Sequence, residues 1–120
     1  MTVTNLDNEF ATLTEYWSPR IVERVNDQYI KVAKVKGEFT WHKHDDEDEL
    51  FYVVKGQLTI QYETYEAQLG PGDMHVVPRD TLHRPVAENE CWICLVEPVS
   101  TRHTGDVVSA LTKSHDEQLR

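Results

Sequence analysis

The sequence predicts an all-β domain, a sandwich or barrel, fronted by one short helix. From residue 21 onward the chain breaks into short β-prone runs separated by Gly, Pro and Asn-Asp signals, the texture of a closed or doubly layered antiparallel fold. Helical period occurs once, near the N-terminus, where Leu6, Phe10, Leu13 and Trp17 recur at spacings of four, three and four. The chain has 120 residues, 39% of them apolar, which is enough for one core and too few for two. A single domain over residues 1–120 follows, with the helix within 1–20, the β core at about 21–98 and a polar tail at 101–120.

Ser18-Pro19 ends the helical stripe, whose apolar face is suited to the body of the fold or to a neighbouring subunit. Strands are predicted at 21–25, 29–36, 39–44, 49–54, 58–62, 66–69, 74–77, 84–87 and 91–97. Asn26-Asp27, Gly37, Lys55-Gly56-Gln57, Gly70-Pro71-Gly72-Asp73 and Glu88-Asn89-Glu90 supply the turns between them. No repeat or low-complexity linker interrupts the series.

Charge and composition exclude several classes of function. With 21 acidic against 12 basic side chains the formal net charge is −9, the wrong sign for tracking nucleic acid or an anionic membrane. The longest apolar run covers residues 91–96, whereas a spanning helix needs about 20 residues. The opening residues show neither a basic region nor an apolar core of a secretory signal, so a cytoplasmic location is expected. Cys91 and Cys94 form a Cys-x-x-Cys inside a β-prone run. Strand residues three apart point to opposite faces, so the two sulfurs are expected to be structural thiols and not a redox or zinc pair.

The chemistry concentrates in the histidines. His42 and His44, two apart on a predicted strand, leave the same face and can chelate one ion, while Trp41 and Lys43 point away. After the acidic loop Asp45-Asp46-Glu47-Asp48, Glu49 opens a strand that a hairpin would bring back toward the two imidazoles. His83, beyond a Gly-Pro-Gly-Asp turn, is the third supporting residue, and His75, eight residues earlier, competes with it. Thr40, Phe51 and Val53 share the predicted inward parity and should line a cavity near the ion. Tyr62, Gln57, Tyr52 and Arg84 are candidates for polar help. His103 and His115, in the polar tail, are expected in solvent.

These residues resemble the cupin superfamily. Gly37, His42-Lys43-His44, Glu49 and Gly56 are similar to its first motif, G-x(5)-H-x-H-x(3,4)-E-x(6)-G. Gly72, Pro78, Asp80, His83 and Ala87 are similar to its second, G-x(5)-P-x-G-x(2)-H-x(3)-N. One residue is missing between Gly37 and His42, Asp80 stands at the motif's second glycine and Ala87 at its asparagine; none of these departures touches a ligand-type residue. The short segment between the motifs suits small single-domain bacterial cupins. The fragment Thr101-Arg102-His103-Thr104-Gly105-Asp106 resembles the end of the YdbB-like, mannose-6-phosphate-isomerase-related group.

The resemblance implies a cupin jelly-roll β-barrel, or double-stranded β-helix, holding one divalent transition metal (Zn, Fe, Mn or Ni) on His42, His44, Glu49 and His83. It favours His83 over His75. Imidazoles with one carboxylate independently suit such ions over Mg or Ca, and four protein ligands on a six-coordinate ion leave two positions free. The expected function is a metal-dependent enzyme on a small organic substrate, of dioxygenase or isomerase/lyase type. The alternative is a non-catalytic module that binds metal or metabolite. No catalytic residue is assigned, and a homodimer is the expected assembly.

Overall fold

The computed structural model describes residues 1–102, 104, 105, 118 and 119. Helix α1 (Leu6–Ala11) precedes strands β1 (Arg20–Val25), β2 (Gln28–Glu38), β3 (Glu49–Lys55), β4 (Leu58–Tyr62), β5 (Glu66–Leu69), β6 (Met74–Val77) and β7 (His83–Pro98). The pairings are antiparallel, in the order β1-β2-β7-β3-β6, with β4 joining β7 to β5. No helix among the described residues is long and apolar enough to cross a membrane.

The helix is shorter than its apolar spacing predicts. Asn5 caps it, its side chain accepting the Asn8 N–H at 3.0 Å, but it stops at Ala11. Thr12 and Thr14 favour helix weakly, and the backbone beyond is captured by β2: the Trp17 N–H donates to the Lys34 carbonyl and its indole N–H to that of Lys36. Trp17, at φ 57, therefore leaves the stripe and stacks on Phe39 inside the barrel, ring centroids 4.8 Å apart. Phe10 and Leu13 pack with Val22 and Val32 on the sheet's outer face, where Phe10 stacks on Trp92 at 4.8 Å. This apolar face is covered within the chain itself.

The inner face carries the main core, which includes Val35, Phe51, Val53, Ile60 and Ile93. Strand β7 is its strut. One edge pairs with β2 along nearly its whole length; the other pairs with β4 at 83–86 and with β3 at 92–96. The turn expected at Glu88-Asn89-Glu90 is absent, and the two predicted strands are one. In the register Val35 meets Cys91 and Gly37 meets Ala87, so the extra β7 residues bulge outward while the strand continues. Glu90 is tied there by Tyr16 at 2.8 Å and Trp92 at 2.9 Å. Gly56 (φ +91) lies under this bulge, where a Cβ would stand 2.8 Å from the Glu90 carbonyl oxygen, so no larger residue fits without a shift.

Residues 39–44, predicted as a strand, form only an isolated bridge between His42 and His83. The Phe39 N–H donates to the Pro85 carbonyl, but Pro85 has no N–H to return, so the ladder is one bond short. An extra residue is accommodated before His42, and the inward parity slips. Phe39 faces the interior in place of Thr40, which stays half-buried.

Candidate metal centre

His42, His44, Glu49 and His83 come together inside the barrel, each offering one ligand atom within 4.8 Å of all the others. Each is placed by a different constraint. The bridge at His42 makes two backbone bonds, His42 N–H to the His83 carbonyl at 3.0 Å and His83 N–H to the His42 carbonyl at 2.9 Å, so these residues are opposed across the barrel wall. Alternation then turns His44 inward with His42 and leaves Trp41 and Lys43 exposed. Glu49 is the first residue of β3, its carboxylate Oε1 3.5 Å from His44 Nε2 and 3.8 Å from His83 Nε2.

Backbone carbonyls set the ring tautomers. His42 Nδ1 lies 2.9 Å from the Thr40 carbonyl and His83 Nδ1 2.8 Å from that of Thr81; a carbonyl only accepts, so both Nδ1 atoms carry the proton. The Nε2 lone pairs are left to face inward. His83 Nε2 and both ring nitrogens of His44 are buried with no hydrogen-bond partner. Unsatisfied buried acceptors converging beside a carboxylate are costly for a protein alone and natural for a cation site, and histidine ligands typically donate their other N–H in this way. The donor set fits a divalent transition metal.

The electrostatics agree. Burial, assisted by the nearby His83, pushes His42 down to about 4, so the ring is held neutral. Burial opposes the charge on Glu49, yet the close side chains of Glu97, His44 and His83 prevail and hold its carboxyl well below the ordinary carboxylate range. Glu97 is displaced the other way, by burial and by the charge of Glu49.

The loop before His83 is strapped to the histidine segment. Asp80 N–H donates to the His44 carbonyl at 2.7 Å, and Lys43 Nζ reaches the Asp80 carboxylate at 2.7 Å. Asp80 adopts φ 56, the left-handed conformation for which the family motif uses glycine; aspartate tolerates it better than most residues. Asp80→Gly should be nearly neutral, whereas Asp80→Val should cost about 1–2 kcal/mol through backbone strain, read as a shift in urea midpoint.

Beside His42 and Glu49 lies an apolar cavity of about 30 Å³, lined also by Trp17, Val35, Phe39, Phe51, Ile93 and Leu95. It is of the size of a water molecule or a two-atom group. Of the predicted lining, Phe51 reaches it; Val53 is buried deeper in the core and Thr40 contributes its carbonyl to His42. A wider cleft of about 280 Å³ meets His44 from outside, between the acidic loop and Ser100, Arg102 and Gly105.

Of the polar candidates only Tyr62 is buried, its hydroxyl 2.7 Å from His75 Nε2. Burial, with Tyr65 and Glu49 nearby, pushes it up to about 12. His75 thus pairs with Tyr62 and stands outside the four-residue group. Arg84 turns outward, over the Trp41 ring and onto Gln61 and Glu38, and Gln57 is exposed. Cys91 is buried on the inner face and Cys94 half-buried three residues on; both are free, and burial pushes Cys91 up to about 11. His103 and His115 lie outside the described residues. Sequence reasoning missed Lys31 and Glu97, although Lys31 shares parity with Ala33 and Val35, and Glu97 with Ile93 and Leu95.

Comparison with known proteins matches the model of the Cupin domain family over residues 29–95. The uncharacterised protein YdbB of Bacillus subtilis is 41% identical over 64 residues, which cover 52% of this chain and 57% of YdbB, so the match spans little more than half of that relative. Quercetin 2,3-dioxygenase of the same organism is 43% identical over 42 residues, 35% of this chain and only 12% of the dioxygenase. A crystal structure of a cupin-2 domain protein from Shewanella frigidimarina superposes with a TM-score of 0.79 at 41% identity, covering 80% of this chain and 94% of that one. With the jelly-roll strand order, the convergent histidine and glutamate side chains and these likenesses in hand, the chain belongs to the cupin family.

Proposed function

We propose that this cupin is a metal-dependent enzyme acting on a small organic molecule, by dioxygenase or isomerase/lyase chemistry. The reading is carried by the unsatisfied imidazole nitrogens that meet the Glu49 carboxylate beside a cavity. His42, His44, Glu49 and His83 would hold the ion. When bound, zinc, manganese or nickel supplies Lewis acidity that polarises a carbonyl, and iron adds redox chemistry with dioxygen. The chain's own contributions are distinct. The Thr40 and Thr81 carbonyls fix two ring tautomers, Phe51 and Leu95 keep the inner wall dry, and Tyr62 holds a proton at its hydroxyl against His75. The local likeness to quercetin 2,3-dioxygenase supports the oxygenase branch.

A non-catalytic metal- or metabolite-binding role is the second reading, favoured by the small inner cavity and the burial of all four side chains. Metal analysis of protein purified without a histidine tag, followed by assays of the loaded protein, separates the two. About one ion per chain with oxygen uptake on diketone, catechol or thiol substrates supports the oxygenase. One ion with isomerisation or cleavage beside a carbonyl supports Lewis-acid chemistry. One tightly held ion with neither activity supports the binding module, and no ion after reconstitution refutes the metal reading.

A further inference from the structure

Lys31 and Glu97 are among the most deeply enclosed side chains of the barrel, 0% and 2% exposed, and their Nζ and Oε1 atoms lie 2.6 Å apart. Both face the interior. Lys31 shares the β2 face of Ala33 and Val35, and Glu97 the β7 face of Ile93 and Leu95. The register extends the pair toward the candidate metal centre. Leu50 pairs with Val96, so Glu49 stands one step further along, across from Glu97; Tyr29 pairs with Glu97, which puts Lys31 on the adjoining diagonal. A line Lys31, Glu97, Glu49 therefore crosses β2, β7 and β3 and ends at the imidazoles of His44 and His83, 3.5 and 3.8 Å from Glu49 Oε1.

Stability does not explain this line. A buried ion pair is often no better than well-packed apolar residues in its place, and two carboxyl groups facing each other across neighbouring strands repel unless something binds them together. Its geometry has a different use. A carboxylate that serves an ion must be held at one angle, and Glu49 is the first residue of its strand, where the acidic loop ends and the β3 ladder begins. Glu97 stands across from Glu49 on the neighbouring strand, and Lys31 holds Glu97 at 2.6 Å.

We propose that Glu97, anchored by Lys31, is a positioning residue that aims the Glu49 carboxylate at the three imidazoles and so sets the strength and geometry of metal binding. The inference rests on the metal reading above. Partners of this outer layer commonly change affinity by about 10- to 100-fold when removed.

Cobalt(II) titration followed by visible absorption, with zinc competition against a chromophoric chelator, tests it on the full chain. The double variant Lys31→Met with Glu97→Leu removes the pair together and leaves neither partner buried without the other, so it should retain its circular dichroism. Its cobalt affinity should fall about 10- to 100-fold with an altered spectrum. Lys31→Met alone should also weaken binding, whereas Glu97→Gln, which keeps shape and hydrogen bonding, should stay close to wild type. Unchanged affinity and spectrum in the folded double variant, or in Lys31→Met, overturn the inference while leaving the metal site intact. Failure of all three variants to fold, with or without metal, assigns the pair to packing and also overturns it. A wild-type protein that takes up no cobalt refutes the metal reading itself.

Discussion

His83→Ala should abolish stoichiometric binding of a divalent transition metal. The ring supplies one of four converging donors, is fully enclosed, and has its other nitrogen committed to the Thr81 carbonyl, so no neighbour can take its place. Even His75 is held 2.7 Å from the Tyr62 hydroxyl. The loss should exceed the 10- to 100-fold that typically follows removal of an outer-layer partner, so affinity should fall by more than about 100-fold. The substitution also opens a void and lowers the stability of the metal-free protein, so the decisive quantity is the difference between metal-loaded and metal-free melting within each protein. At about 1,000 times the dissociation constant, metal should stabilise the wild type by about 4 kcal/mol, on the order of 10 °C for a chain of this size. In the variant that difference should vanish; an equal metal-induced shift in both proteins would remove His83 from the ligand set.

The metal-free protein should lose stability in mild acid. His42 is pushed down to about 4 in the fold, by burial first and His83 second, from an ordinary value of 6.5. The unfolded chain therefore binds the proton more readily. The contribution is fully present above about pH 6.5 and is lost as pH falls through about 4, to the extent of roughly 3 kcal/mol at 1.4 kcal/mol per unit. Glu49, held below the carboxylate range, acts with the same sign at still lower pH. Glu97, held above that range, opposes both: its contribution is present in acid and is lost as pH rises. Melting followed at pH 7 and pH 4 in the presence of a chelator should show the fall, and His42→Phe should flatten it. A wild-type melting temperature that is level across this interval would contradict a neutral, buried His42.

The candidate site was legible because its information is local. His42 and His44 needed only strand parity, and the intervals to Glu49 and His83 needed only the motif spacing. What escaped depends on partners remote in sequence. Thr40 seemed to share the inward face of His42, but Pro85, across the ladder, withholds an N–H and shifts the parity, so Phe39 turns inward. Glu88-Asn89-Glu90 carries a turn's composition, yet Gly56 passes so closely beneath that the chain bulges and continues. The helix stripe ran on to Trp17 on paper, while hydrogen bonds to β2 pull that residue into the barrel. Lys31 and Glu97 were readable as charges on inward parities. Recognising their purpose required the pairing of β2 and β3 on either side of β7.

That central strand also governs the order of events as the chain acquires its shape. β7 supplies partners to β2, β3 and β4, and its residues 83–98 follow all the others of the barrel in sequence. A nascent chain emerging from the ribosome thus exposes the edges of three separate strand pairs, β1–β2, β3–β6 and β4–β5, until the last strand arrives, and closes over long sequence separations, which makes barrel formation slow. His83 opens β7, so the pocket between His42 and Glu49 has no third imidazole before that late step. Metal capture should therefore follow closure and report on it, with cobalt absorption rising no faster than intrinsic tryptophan fluorescence reaches its native value during refolding.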